Sequence, residues 1–396
     1  MAFTINNGAD SPLESIYATD YWIVNKWFGD RLWGWGYNNQ FGKLGTNNTV
    51  NYSTPIQTIT GGNNWRIVGC TGQTSYAVKT DGTLWCWGNG DHGRLGDGSA
   101  TTKSSPVQTI TGGTNWKYVA MGPISSSVAA IKTDGTLWTW GYNGSGQLGD
   151  NSYSSRSSPV QTVASGTNWV RAALGANHTA AIKSDGTLWL WGQGFVGQLG
   201  NNNTSNQISP VQTTSSGTYW KHVACGYQHT AAVKTDGTLW CWGLNTSGQL
   251  GDNTITNKSS PVQTVAGGTI WKQAACGYSF TAAVKLDGTL WLWGSNGSGQ
   301  LGDNTTAQKS SPVQTVTGGT NWSQVVSGST HTIAIKTDGT LWGWGSNNYG
   351  QLGDNTVTGG SYPRQTYTGG TNWKQASAGT NHTMAISINN INTTGT

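Results

Sequence analysis

The sequence predicts an all-β chain: a seven-bladed β-propeller of four-stranded antiparallel blades, its ring closed by pairing of the first and last strands. Three observations carry that reading. The motif LW-x-WG begins at Leu32, Leu84, Leu137, Leu188, Leu239, Leu290 and Leu341, a period of 51 to 53 residues, and self-similarity at that spacing marks a repeat architecture. A second tryptophan keeps step at Trp65, Trp116, Trp169, Trp220, Trp271, Trp322 and Trp373, and seven prolines follow the same beat from Pro55 to Pro363. Finally, the array opens on LWGWG (32–36) and finishes on HTMAIS (382–387). Those segments are hairpin partners in every complete unit, and the Asp-Gly-Thr turn between them is missing only here. Their pairing would close the ring and leave no open sheet edge there.

Within a unit each strand has its own signal. HTAAIK (178–183) and LWLWG (188–192) flank SDGT, and a central Asp-Gly predicts a tight hairpin of type I′ with positive φ at both residues. NWVRAALG (168–175) and SPVQTV (158–163) supply two more short strands. The second begins at its proline, where the missing N–H is tolerated. No segment shows helical periodicity beyond a turn. A solenoid would need atypical capping repeats, and the terminal units look like the others. The organisation read from this is an aromatic-rich arm (1–29), the propeller (30–387) and a short tail (388–396).

Composition narrows the function classes. Of 396 residues only 9% are charged, while 59 are Gly and 23 are Trp. The net charge is +5, yet no run of Lys or Arg reaches three residues, so a nucleic-acid surface is not indicated. No apolar run approaches a membrane span. The start, MAFTINNGADSPLES, lacks a basic n-region and an apolar core. The expected location is a virion or cell surface reached without a general secretion signal, or otherwise the cytoplasm.

GYNGSGQLGDN (141–151), SSPVQT (157–162) and GANHTAAIKSDGTLWLWG (175–192), with their copies, resemble the repeats of the regulator of chromosome condensation family. The resemblance runs from about Asp30 to Ser387, and the composition is reminiscent of the bacterial or phage type. It implies the same seven-bladed propeller. The functions it implies are broad, spanning nucleotide exchange on a small GTPase, chromatin binding and inhibition of β-lactamases. A fold shared this widely does not name an activity.

Candidate sites are weighed against the repeat. Twenty-one of the 23 tryptophans are repeat positions, as expected of packing between wedge-shaped blades. Asp81, Asp134, Asp185, Asp236, Asp287 and Asp338 belong to turns, and Asp97, Asp150, Asp252, Asp303 and Asp354 to the loop after QLG or RLG. No carboxylate pair in contrasting environments emerges for acid–base work. His178, His229, His331 and His382 share a slot that Thr74, Ser127 and Phe280 fill elsewhere. That argues against a metal ring and for a histidine bonded to neighbouring backbone. Cys70 and Cys86, like Cys225 and Cys241, stand two strands apart, roughly 9.5 Å, beyond disulfide reach. GNGDHG (88–93) and GQGFVG (192–197) match a dinucleotide fingerprint but open no helix. Catalytic residues, cofactors and metals are accordingly expected to be none.

What the repeats do not share is more informative. Lys103, Arg156, Lys258 and Lys309 stand three residues before the repeated proline and would form a partial basic crown on one face, able to meet an acidic partner. In the arm, Tyr17, Tyr21, Trp22, Trp27 and Phe28 lie close together and would bind a partner or fold onto the propeller itself. Further departures are MGPISSS (121–127), GFVG (194–197) and VTGGSYPR (357–364), each a contact patch in prospect. The expected function is a non-catalytic protein-interaction or structural propeller, in a phage tail, baseplate or fibre or on a bacterial surface, docking through its arm. The alternatives are nucleotide exchange on a small GTPase, enzyme inhibition, and carbohydrate binding through loop tyrosines such as Tyr52, Tyr142, Tyr153 and Tyr349.

Overall fold

The computed structural model describes residues 30–388, apart from positions 60, 61, 63, 112, 121, 165, 215–218, 266–269, 318, 369 and 371. Seven four-stranded antiparallel sheets form the blades. In blade 1 the order is Trp65–Cys70, Thr74–Lys79, Leu84–Gly88, Lys103–Gln108, and blades 2 to 6 (116–161, 169–212, 220–263, 271–314, 322–365) repeat it. The SPVQ-type strand therefore pairs with the LW-x-WG strand that precedes it. The Trp-initial strands of successive blades touch one another, which makes them the inner strands around a central channel.

The closing blade is built from both ends of the described chain. Arg31–Gly36 pairs along its length with His382–Ser387, Arg31 opposite Ser387 and Gly36 opposite His382. Tyr52–Gln57 and Trp373–Ala378 flank this pair. The predicted closure is observed, and residues 30 and 388 emerge side by side.

The core lies between blades. Each hydrophobic cluster draws on two neighbours; one joins Ala180, Ile182, Leu188 and Leu190 of blade 3 to Trp220, Val223, Ala232 and Trp242 of blade 4. The second Trp of LW-x-WG is fully buried in every blade. Its indole N–H donates to the preceding blade, as from Trp191 to the Gln147 carbonyl at 2.8 Å and, across the closure, from Trp35 to the Gln351 carbonyl at 3.0 Å. Gly149 (φ +67°) lets the loop lie on that ring, since a Cβ there would sit 2.7 Å from Trp191 Nε1.

The hairpin turn differs from the expectation. Gly82 is left-handed at φ +80°, whereas Asp81 has no positive φ. Gly82 N–H donates to the Lys79 carbonyl, and Lys79 N–H to the Thr83 carbonyl, both at 3.0 Å. This is a three-residue loop, a type I turn closed by a left-handed glycine, not type I′. The Asp81 carboxylate explains the choice: it accepts the Thr83 N–H at 2.9 Å and the Thr83 hydroxyl at 2.7 Å, a local ring that asks nothing unusual of the Asp backbone.

Candidate functional site

Strand direction sorts the connections onto two faces. The Asp-Gly turns and the links to the next inner strand lie on one. The other, the loop face, carries the first connection of each blade, the long loops after LW-x-WG, and the starts of the outer strands.

Buried polar side chains stiffen the long loops. Asn143 donates through Nδ2 to Asp150 Oδ1 at 3.1 Å and to the Ser152 and Ser154 carbonyls at 3.0 and 3.1 Å, while its Oδ1 accepts the Leu148 N–H at 2.9 Å. Asn245, Asn296 and Asn347 repeat this arrangement. Each network satisfies buried amide and carboxylate groups that would otherwise be costly, so the loops are preorganised.

The four cations of the crown do share this face, and three are ion-paired within their own loops. Arg156 lies 2.8 Å from Asp150, and Lys258 and Lys309 lie 3.7 Å from Asp252 and Asp303. Where Gly360 takes the crown position, Arg364 reaches Asp354 at 3.4 Å instead. Blade 3 replaces both partners with neutral residues, Asn201 and Gln207. Burial pushes Asp150 up, but bonds from Ser152 and Arg156 outweigh it and hold the carboxyl below its ordinary range. The crown's charge is therefore largely spent inside the protein.

At the centre, successive blades are laced by main-chain bonds. Ala176 N–H donates to the Tyr227 carbonyl, Tyr227 to Tyr278, Tyr278 to Ser329, Ser329 to Thr380, Thr380 to Gly72 and Gly72 to Ser125. Blade 2 departs from the pattern. Its longer 122–127 connection reaches over the channel, where the Thr380 hydroxyl donates to the Pro123 carbonyl at 3.0 Å. The space beneath is a cavity of about 50 Å³ lined by Pro123 and the inner strands, far smaller than a typical ligand pocket. Beside it the Tyr227 and Tyr278 rings stack, centroids 4.2 Å apart.

The repeated histidines bond hydroxyls of the next blade rather than backbone. His178 Nε2 meets Thr230 Oγ1 at 3.0 Å, His229 meets Thr281 at 3.0 Å, and His382 meets Ser75 across the closure at 3.0 Å. The residue after that slot in the next blade is Thr or Ser, and its hydroxyl supplies the partner. Burial lowers His178 and His331 to about 3 and His229 to about 4, so they stay neutral. All five cysteines are buried and free, and burial pushes Cys70 and Cys276 up to about 12, out of thiolate chemistry. Among the described residues no three His, Cys, Asp or Glu side chains gather as metal ligands. None of those residues forms a helix long and apolar enough to cross a membrane.

The sequence departures at 122–127, 194–197 and 357–364 lie on the loop face, in blades 2, 3 and 6. Phe195 is 63% exposed at a loop tip and Tyr362 is 44% exposed in the outer strand of blade 6, while Pro123 sits at the channel mouth. Tyr17, Tyr21, Trp22, Trp27 and Phe28 lie outside the described residues. Lys43 had no signal beyond its place in KLG, where other blades have Gln or Arg. It is buried, with Nζ 4.4 Å from the Tyr37 ring centroid, and burial lowers it to about 8.

Comparison with known proteins agrees with this geometry. The RCC1-like domain matches residues 117–395, and regulator of chromosome condensation (RCC1) repeats match 30–78 and 81–127. The chain is 31% identical over 343 residues to the ultraviolet-B receptor UVR8 of Arabidopsis thaliana, covering 85% of this chain and 77% of that protein. It is 29% identical to the human E3 ubiquitin-protein ligase HERC2, where the match covers 93% of this chain but spans only 8% of the relative. Among solved structures, Prp20p from Saccharomyces cerevisiae superposes with a TM-score of 0.82 at 18% identity, covering 95% of this chain and 96% of that one. Human WBSCR16 gives 0.80 at 20% identity, covering 92% and 100%. With those family models matching nearly the whole described chain, the protein belongs to the RCC1 repeat family.

Proposed function

We propose that this chain is a non-catalytic protein-binding propeller that engages its partner through the loop face. One observation carries the reading: the segments 122–127, 194–197 and 357–364, each a departure from the repeat, all fall on that face. A repeat supplies the same side chains seven times, whereas specific recognition needs residues that break the symmetry. Exposed Phe195, at a loop tip, and Tyr362, on the outer strand of blade 6, have the character of interface anchors. The study of Prp20p with its binding properties to Gsp1p and histones supports protein binding as a use of this fold. The opposite face carries mostly repeated turns.

We further propose that residues 1–29 act as a docking arm, in a phage particle or on a bacterial surface. The support is their unrepeated aromatic residues and the low charge of the whole chain. Mass spectrometry of purified particles tests this setting, and absence of the chain from them would count against it. For the binding face, a pull-down compares the full chain, a chain lacking residues 1–29, and F195A/Y278A/Y362A. Loss of the partner in the triple variant is the result expected for the loop face, and loss in the chain lacking residues 1–29 the result expected for the arm; retention without residues 1–29 would remove the arm from the proposal. Retention in the triple variant would remove the loop face from the proposal.

A further inference from the structure

On the face opposite the loops, six blades build the same composite site. The lysine ending each second strand (Lys79, Lys132, Lys183, Lys234, Lys285, Lys336) holds its Nζ 4.3 to 5.0 Å from the centroids of two indoles. One indole belongs to the inner strand and the other is the first Trp of LW-x-WG. In blade 1 these rings, Trp65 and Trp85, meet at 6.4 Å and 81°. The pairing register explains the recurrence, because Lys79 stands opposite Trp65 just before a bulge, and every blade repeats that step.

The closing blade keeps both indoles and loses the cation. Trp33 and Trp373 meet at 6.3 Å and 73°, close to the geometry of blade 1. Ser387 stands opposite Trp373 where lysine stands elsewhere, and its hydroxyl accepts the Trp33 indole N–H at 2.9 Å. No cation of the described residues lies over either ring. The neighbouring Lys374 is held by Asp30 at 2.5 Å. A cavity of about 210 Å³ opens instead, lined among the described residues by Trp33, Thr368, Gly370, Asn372, Trp373 and Ser387. Trp373 is 6% exposed, whereas its counterparts in the other blades are at most 2%.

We propose that this two-tryptophan cage is a binding site for an alkylammonium group of the lysine type, supplied from outside the blade. The electron-rich faces of two indoles attract a cation and do little for a neutral chain of the same length. The same chain fills this space with a lysine six times over, so the site is shaped for that group. Two sources share the chemistry: a lysine of another protein, and Lys26, the single basic residue among residues 1–29.

The test uses the full chain with assigned indole N–H resonances of Trp33 and Trp373. The probe is Nα-acetyl-lysine N-methylamide, and its norleucine counterpart is the neutral control. Saturable shifts in the millimolar range with the lysine probe alone are expected, kept in S387A and lost in S387K, whose own ammonium fills the cage. W33L removes one wall and should weaken the response at least fivefold. A response seen only in K26M would also support the cage and identify Lys26 as its occupant. Silence in both the wild type and K26M would overturn the proposal, as would an undiminished response in S387K.

Discussion

Replacing His331 with Phe should flatten the acid sensitivity of this protein by a definable amount. His331 is fully buried, its Nε2 lies 3.3 Å from Thr383 Oγ1, and burial lowers it to about 3. An unfolded histidine titrates near its ordinary value of 6.5. As pH falls below that value the unfolded chain takes up a proton and the folded chain does not. Stability is thus fully present above the unfolded value and is lost as pH falls toward the folded one, at about 1.4 kcal/mol per pH unit. Between pH 7.5 and pH 5 this residue should cost about 2 kcal/mol. Phe280 fills the same slot in blade 5, where a Cβ on Gly277 would lie 1.9 Å from its ring; one on Gly328 would lie 2.0 Å from the His331 ring. Phenylalanine therefore has a precedent in that space. Urea unfolding followed by tryptophan fluorescence at the two pH values gives the difference directly. The variant should lose about 2 kcal/mol less than the wild type. An identical loss in both proteins would refute the claim that burial keeps this imidazole neutral.

Three further outcomes follow from the packing. Gly149→Ala should destabilise by more than about 1 kcal/mol in thermal or urea unfolding, because the residue is left-handed and its Cβ would strike Trp191; Gly297→Ala, with nothing within 4 Å, should stay within about 0.5 kcal/mol of wild type. Trp35→Ala should cost about 3–5 kcal/mol, since it empties a fully buried indole site at the ring closure and removes the bond to Gln351; calorimetry would show a lowered Tm. Lys258→Gln should change stability by no more than about 1 kcal/mol, because its ion pair with Asp252 is partly exposed, and any effect should shrink at high salt.

Much of the fold is legible in the sequence because the repeat states each signal seven times. LW-x-WG marks the third strand of every blade, and the unpaired ends at LWGWG and HTMAIS reveal the closure. The site is less legible. Phe195 and Tyr362 stand out as breaks in a pattern, but their exposure depends on where the loops run. Lys103, Arg156, Lys258 and Lys309 are legible as one repeat position, yet the sequence offers no hint that Asp150, Asp252 and Asp303 pair with three of them. Even the Asp-Gly turn misleads locally: the dipeptide suits a two-residue turn, and the bonds from Thr83 to Asp81 select a three-residue one.

By itself, then, the sequence determined the architecture: seven blades, their strand order around each hairpin, and the blade shared by both ends. Large apolar side chains at a fixed period can be buried in few ways, and that constraint is local and repeated. Only the tertiary structure decided which groups meet between blades. His382 finds Ser75, Trp35 finds Gln351, and Trp33 faces Trp373 over a space where six other blades hold a lysine. Partners some 300 residues apart are brought together by ring closure, and their chemistry follows from that geometry rather than from any local stretch of chain.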